Sequence, residues 1–267
     1  MSPAWHRRPL RDRIDARDPS LKEEVALVPV AVGIVAGTAI RGAAATVMMR
    51  SVLERHPAAF LITLANYGVT LPLGRSQEHI RRDITRELNQ RGRARDSPIV
   101  LVGHSQGGLA VLRYAADHQR QVKHVISIGA PWRGAVSAGR LSRLFGNRLP
   151  AMYDMSAGSR FLTALHQDVP AIADRVSNIY STHELFIRPY TGAHIDLPGV
   201  SNTLIATEEE LRRHLEFHPD LELDDIILGK VNHLSEMQSP QVRSKIWAKV
   251  DEVAAELRQG RGPQRAD

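Results

Sequence analysis

The sequence predicts one α/β domain, with a mostly parallel central sheet covered by helices on both faces. Two observations predict this fold class. Short uncharged runs rich in Val, Ile and Leu recur along the 267 residues, and amphipathic segments with helical spacing lie between them. Strands of a parallel sheet are buried on both faces, so they read as unbroken apolar runs. Without an internal repeat or an interior proline-rich linker, a single domain is expected over 23–258. A basic N-terminal arm (1–22) and a short tail (259–267) flank it.

The elements follow in order from these patterns. Six runs are predicted as strands, over 25–30 (VALVPV), 58–68, 98–102, 122–128, 176–181 and 225–228. Four segments are predicted as helices, over 38–54, 76–90, 109–118 and 239–258. The segment 76–90 shows the reason most clearly, because Ile80, Ile84 and Leu88 fall on one helical face and charged residues fall elsewhere.

Residues 25–40 allow two interpretations. This uncharged run follows a basic N-terminus, as the core of a signal peptide or signal anchor does. It is short for a membrane span, however, and Pro29, Gly33 and Gly37 suit a strand, a turn and a helix start. We therefore expect a buried strand and a cytoplasmic protein, with a membrane-associated or exported protein as the alternative.

Composition excludes several kinds of chemistry. The chain has no cysteine, which removes disulfides, thiol nucleophiles and thiolate metal sites. The formal charge of +6 is diffuse apart from the two ends, and basic residues do not interleave with aromatic ones as in nucleic-acid-binding proteins. The 12 histidines show no metal-ligand spacing. We therefore predict no nucleic-acid partner, no metal and no organic cofactor; the oligomeric state stays open.

The stretch LVGHSQGGLA (101–110) contains the strongest functional signal. Gly103, Ser105 and Gly107 form G-x-S-x-G directly after an apolar strand and at the start of a helix. A serine at such a corner takes a strained backbone conformation, so its neighbours must lack side chains. The amide of Gln106, at the helix N-terminus, would face a developing oxyanion. The alternative is a structural turn with a capping serine.

A nucleophilic serine needs a base, which in this architecture follows the acid along the chain. His233, in KVNHLSEMQSP, comes after the last predicted strand and before the last helix, and it is the first candidate. Three other histidines remain open, namely His194, His214 and His218.

The acid is expected where a strand ends before the histidine loop. Glu184, in NIYSTHELFIRP, is the carboxylate in the turn that follows the strand 176–181, and it is the first candidate. Asp196 and then Asp154 are the alternatives.

These stretches together resemble the α/β-hydrolase family, in particular its bacterial lipase- and esterase-like members. LVGHSQGG resembles the nucleophile elbow, with His104 inside it, and SIGAPWRG the small-residue loop after the next strand. YDMSAGSRFLTAL, IYSTHELFIRP and NHLSEMQSPQV resemble further segments of these lipases, so the resemblance covers about 25–250. It implies Ser105 as nucleophile, Glu184 as acid and His233 as base, although relatives usually carry aspartate as the acid.

The resemblance also implies an oxyanion hole with a second amide from an early strand. Many relatives have His-Gly there, whereas this chain has VPVAVG (28–33), and an amide of Val30 or Ala31 is expected to serve. Residues 134–152 are expected to form a small cap, with a lid that contacts lipid as the alternative. Residues 206–224 are expected to be an inserted surface helix, with a gating or partner-binding element as the alternative.

The resulting function hypothesis is a serine hydrolase that acts on carboxylic esters of small molecules or lipids. A peripheral membrane contact remains open. Two alternatives remain: an acyltransferase with the same triad, and a non-catalytic binding protein of the same fold.

Overall fold

The computed structural model describes residues 30–37, 59–64, 70–136, 138–139 and 148–259. In this part of the chain, seven parallel strands form one sheet in the order β2-β1-β3-β4-β5-β6-β7. Their bounds are β1 Val30–Val35, β2 Ala59–Thr63, β3 Ile99–His104, β4 Val122–Ile128, β5 Val176–Ser181, β6 Ser201–Ala206 and β7 Asp225–Leu228. The α-helices are α1 Leu73–Gln90, α2 Gln106–Asp117, α3 Pro150–Asp154, α4 Arg160–Asp168, α5 Glu208–Phe217 and α6 Pro240–Arg258.

Helices cover both faces of this sheet. Along β3, Ile99 and Leu101 join the apolar cluster that α1, α2 and α4 complete, whereas Val100 and Val102 join the one that α6 completes. Alternate residues of a strand point to opposite faces, so the unbroken apolar run is buried on both sides. The predicted α/β fold class is therefore confirmed.

The first strand extends further than predicted. It is described over Val30–Val35, whereas the prediction ended at residue 30. The run VAVGIV is apolar throughout and buried, as expected for a strand between β2 and β3. Residues 25–29 and the predicted helix 38–54 lie outside the described residues, as do the arm 1–22 and most of the tail 259–267.

The sequence prediction missed β6 altogether. This strand begins with the polar residues SNT, which hid the apolar pattern. Asn202 is nevertheless buried, because the Asn178 amide of β5 donates to its side-chain oxygen at 2.9 Å and its own amide donates to the Ile195 carbonyl at 3.0 Å. Its polar groups are thus satisfied inside the fold.

Residues 206–224 form the crossover between β6 and β7. They contain α5, which starts at a capping box made by Thr207 and Glu210. The segment therefore contains the helix of a βαβ unit. Its interpretation as an insertion stays a prediction. None of the described helices is long and apolar enough to cross a membrane.

The carboxyl ends of the strands lie along one edge of the sheet. Ser105 follows β3, Gly129 follows β4 and the acid loop follows β5, while the histidine loop follows β7. An isolated parallel bridge pairs His183 with Asn232, so the residues that come next in each loop, Glu184 and His233, are brought side by side. This edge is where ligands bind in open α/β sheets.

Candidate active site

Ser105 occupies a sharp corner between β3 and α2. Its φ of 55° and ψ of −124° make it the one non-glycine residue with a positive φ in the described part of the chain. Its amide donates to the Ile128 carbonyl at 2.8 Å, which fixes the corner against the end of β4. A side chain held in this conformation stores strain, and such strain is concentrated at functional sites.

Three glycines leave room for that corner. A Cβ on Gly103 would overlap the Gly107 carbonyl, and one on Gly107 would overlap the Val35 carbonyl. A Cβ on Gly37 would lie 2.7 Å from the Ser105 Cβ. Gly103 and Gly107, which the motif singles out, therefore lie where other backbone atoms come too close for a side chain. The chain after β1 passes directly beside Ser105.

His233 and Glu184 form a buried pair. His233 Nδ1 lies 2.8 Å from Glu184 Oε2, and the two residues are 3% and 4% exposed. His104, the residue before Ser105, donates from Nε2 to the His233 carbonyl at 2.8 Å. The elbow, the acid loop and the histidine loop are thus joined at one place.

The alternative bases and acids lie elsewhere. His194 contacts the Tyr180 hydroxyl at 3.0 Å, and His214 contacts the Tyr190 hydroxyl at 2.8 Å, both in a cluster around β5, β6 and α5. His218 packs near the same Tyr190 ring. The Asp196 carboxylate is exposed and lies 3.5 Å from Arg133, whereas Asp154 accepts the Leu73 amide at the start of α1. The described contacts bring none of them to His233.

The position expected for the second oxyanion amide is wrong. Val35 pairs with Gly103, whereas Ala31 pairs with Ile99, at the amino end of β3. Val35 lies four positions after Ala31, which is about 13 Å along a strand. Val30 and Ala31 thus lie at the opposite end of β1 from Ser105, and Ala36 and Gly37 lie near the nucleophile instead. The error follows from the early end predicted for β1.

Two residues of the site were missed from the sequence. Glu236 is fully buried, with Oε2 3.8 Å from His233 Nδ1 and 3.4 Å from His104 Nε2. Gly129, with a φ of 52°, has no side chain because a Cβ there would overlap Glu236 Oε2 and lie 3.0 Å from Glu184 Oε1. The sequence features that could have identified these two residues are a glutamate three residues after His233 and a glycine at the end of β4.

Burial determines the charges in this cluster. It lowers the pKa of His104 to about 3, with a further contribution from the His233 charge, so His104 is neutral at pH 7. Burial first, and then the Glu184 carboxylate, raise the pKa of Glu236 well above its ordinary value. Glu236 is therefore expected to hold its proton in the folded protein.

The same groups have the spacing of a possible metal site. One ligand atom each of His104, His233 and Glu236 lies within 4.8 Å of the others. However, His104 Nε2 faces the His233 carbonyl, and a carbonyl accepts hydrogen bonds only, so this nitrogen carries hydrogen. A protonated nitrogen has no lone pair for a metal. The three side chains are therefore better suited to share protons through hydrogen bonds than to bind a metal ion.

The predicted cap lies partly outside the described residues. Residues 137 and 140–147 are not described, and with them Leu141, Leu144 and Phe145. Of the rest, Ala135 and Ala138 are buried in the core, and Val136 is exposed. The lid interpretation stays a prediction.

The comparisons with known proteins agree with this geometry. Residues 63–189 match the family model described as the alpha/beta hydrolase fold, a range that contains the corner at Ser105 and the Glu184 loop. This chain has the α/β-hydrolase fold. A comparison with curated protein sequences gives no match.

Solved structures of three proteins have a similar fold. The chain is similar to Aspergillus fumigatus lipase B, at 18% identity and a TM-score of 0.54, over 80% of this chain and 51% of that one. It therefore spans about half the length of that lipase. It is also similar to the meta-cleavage product hydrolase of Pseudomonas fluorescens (11% identity, TM-score 0.54, 84% and 91% of the two chains). A third is the peroxisomal α/β-hydrolase of Saccharomyces cerevisiae (11%, TM-score 0.55, 87% and 80%).

Proposed function

We propose that this α/β-hydrolase-fold protein is a serine hydrolase that cleaves carboxylic esters through Ser105, His233 and Glu184. The observation that carries the proposal is the buried pair of His233 and Glu184, 2.8 Å apart. Its loop is hydrogen-bonded to His104, next to the strained Ser105. A strained serine, an imidazole and a carboxylate in this chain order are the parts of an acyl-transfer site.

The reaction proceeds in two halves. Ser105 Oγ attacks the ester carbonyl carbon while His233 Nε2 takes the hydroxyl proton, and the imidazolium then gives that proton to the departing alcohol. Water, deprotonated by the same nitrogen, next attacks the acyl-enzyme, releases the carboxylic acid and restores the Ser105 hydroxyl. Glu184 Oε2 accepts a hydrogen bond from Nδ1–H throughout and balances the imidazolium charge.

The oxyanion would be stabilised by backbone amides on two elements. Gln106 is the first residue of α2, and the N–H groups of the first helical turn point out of the helix N-terminus. The second donor would come from Ala36–Gly37, because this segment passes beside Ser105. Backbone donors fixed in place need no reorganisation as the charge develops.

Apolar side chains next to the triad support an acyl chain as the recognised group. Leu185 and Phe186 follow Glu184 and are 53% and 45% exposed, and Leu234 follows His233 and is 44% exposed. We call these three residues the apolar rim. The Phe186 ring lies 5.2 Å from that of His233, which supports a role for the rim beside the proposed base.

Hydrolysis of p-nitrophenyl esters of increasing acyl length tests the substrate class. Each added methylene buried on the apolar rim contributes about 0.8 kcal/mol, so kcat/KM should rise by up to about fourfold per methylene until the site is filled. Phe186→Ala should flatten this rise. Phe217→Ala, which removes an exposed ring on α5, is the matched control and should leave it unchanged. A rate that falls from acetate onward would contradict recognition of an acyl chain.

A further inference from the structure

Within the described part of the chain, Glu236 is the one wholly buried carboxyl next to the proposed triad that the reaction above does not use. It opens the short 3-10 helix Glu236–Gln238, three residues after His233. Among the described residues, the titratable groups that face it are Glu184, His104 and His233. A buried glutamate is rare unless it is paired, so this position needs a physical reason.

The two carboxyls meet on the side of Glu184 that faces away from His233. Glu184 Oε2 is the oxygen that lies 2.8 Å from Nδ1. A Cβ built on Gly129 would approach Glu184 Oε1 and Glu236 Oε2 together, which shows that these two oxygens converge over the same glycine. Glu184 and Glu236 therefore lie close enough to share a hydrogen bond if one of them carries a proton.

That hydrogen bond requires a proton, because two carboxylates can only accept. Among the described residues, no hydrogen bond reaches any of the four carboxyl oxygens. The histidine nitrogens only approach them, His233 Nδ1 at 2.8 Å from Glu184 Oε2 and His104 Nε2 at 3.4 Å from Glu236 Oε2. His104 is neutral and supplies no cation. Two buried negative charges without a cation would be very costly, whereas a pair that keeps one proton carries one charge, and the imidazolium matches that charge during the reaction.

We propose that Glu236 is a positioning residue, whose neutral carboxylic acid donates a hydrogen bond to Glu184 Oε1 and so holds Oε2 on His233 Nδ1. This inference rests on the proposed function of the triad. The shared proton has a second effect. Because the Glu236 acid donates a hydrogen bond to one oxygen of Glu184, Glu184 is a weaker base. The Nδ1 proton therefore stays on His233, and the Glu184 carboxylate keeps its charge.

Two substitutions separate the hydrogen bond from the burial of a side chain. In Glu236→Gln an amide N–H replaces the acid O–H, so kcat should stay within about threefold of wild type. Glu236→Ala removes the donor, and kcat should fall about 10- to 100-fold, the range for one hydrogen bond to a charged group, with KM changed less. Without the donor, Glu184 is also a stronger partner for the imidazolium, so the acidic limb of kcat/KM should move to higher pH in Glu236→Ala only.

Infrared difference spectroscopy tests the proton without any turnover. At pH 7 the wild-type spectrum minus that of Glu236→Gln should contain the C=O stretch of a neutral carboxylic acid. Glu210→Gln is the matched control, because Glu210 lies 3.2 Å from His183, and hydrogen bonds from Thr207 and Thr182 outweigh partial burial to lower its pKa. Its difference spectrum should lack that band.

The experiments separate the proposed hydrolase function from the proton shared by Glu184 and Glu236. If the wild-type protein hydrolyses no ester but the band is present, the proposed function fails and the shared proton stands. If the band is absent, Glu236 is ionised and this inference is overturned whatever the activity. It is also overturned if Glu236→Gln loses as much activity as Glu236→Ala while a thermal unfolding transition shows that Glu236→Gln is folded. The same holds if Glu236→Ala keeps both the wild-type kcat and the wild-type pH profile.

Discussion

At the scale of single residues, the proposed catalysis depends on Glu184 as the partner of His233. The longer glutamate reaches Nδ1 at 2.8 Å because the bridge between His183 and Asn232 brings the two loops together. The same side chain is almost wholly buried, so its charge acts on the imidazole with little screening by water.

Glu184→Gln should therefore lower kcat by about 10² to 10⁴, since an amide can neither balance the imidazolium nor hold the required tautomer. Asp196→Asn is the matched control. This carboxylate is exposed and paired with Arg133, so its loss should leave kcat unchanged. Steady-state rates on one p-nitrophenyl ester measure both variants, and an inactive Asp196→Asn with an active Glu184→Gln would reverse the assignment.

The residues of the triad could be proposed from the sequence, whereas Glu236 could not. Ser105 lies in a motif, and the order of acid and base along the chain narrows the choice for the other two. Glu236 lies in LSEMQ, which reads as a polar surface loop, and glutamates in such loops are normally exposed. Its burial arises from contacts with β3 and the β5 loop, which lie far away in the sequence.

At the scale of elements, the site depends on how closely α2 approaches the ends of β1 and β3. The sequence predicted the helix and β3 well because both carry strong apolar patterns. It ended β1 too early and missed β6, because the polar residues at the start of β6, such as Asn202, are buried only through contacts with neighbouring segments. The wrong oxyanion residues, Val30 and Ala31, are a direct result of the early end given to β1.

Gly107→Ala tests this close approach. The new Cβ would overlap the Val35 carbonyl, so the helix must move away from β1 at a cost of about 1–3 kcal/mol in the free energy of unfolding. Gly74→Ala in α1 is the control, because nothing lies within 4 Å of its Cβ, and it should stabilise the protein by about 0.5 kcal/mol. Urea unfolding of both variants provides the comparison. Equal effects of the two substitutions would contradict the packing described here.

At the scale of the whole molecule, buried histidines make stability depend on pH. Burial lowers the pKa of His104 and His124 to about 3 and that of His194 to about 4. Between about pH 4 and 6.5 the unfolded chain therefore binds up to three more protons at these residues than the folded protein does. This outweighs the single proton that Glu236 keeps, so the free energy of unfolding should decrease as the pH falls through this window.

His124→Gln should make the decrease less steep. The glutamine amide can still reach the Ser177 hydroxyl, which His124 Nε2 contacts at 2.9 Å, but it takes up no proton in the unfolded chain. Thermal unfolding at pH 7 and pH 5 should show a smaller drop in Tm for the variant than for wild type. A drop of the same size would mean that His124 is not held neutral by the fold.

The central claim is that Ser105 is a nucleophile activated by His233. Labelling with a fluorophosphonate probe tests it most directly, because the probe bonds covalently only to an activated serine. The folded wild-type protein should label, Ser105→Ala should not, and His233→Ala should label far more slowly. Ser97→Ala, just before the amino end of β3, should label like wild type. Absence of labelling in folded wild type, or equal labelling of Ser105→Ala, would contradict the account.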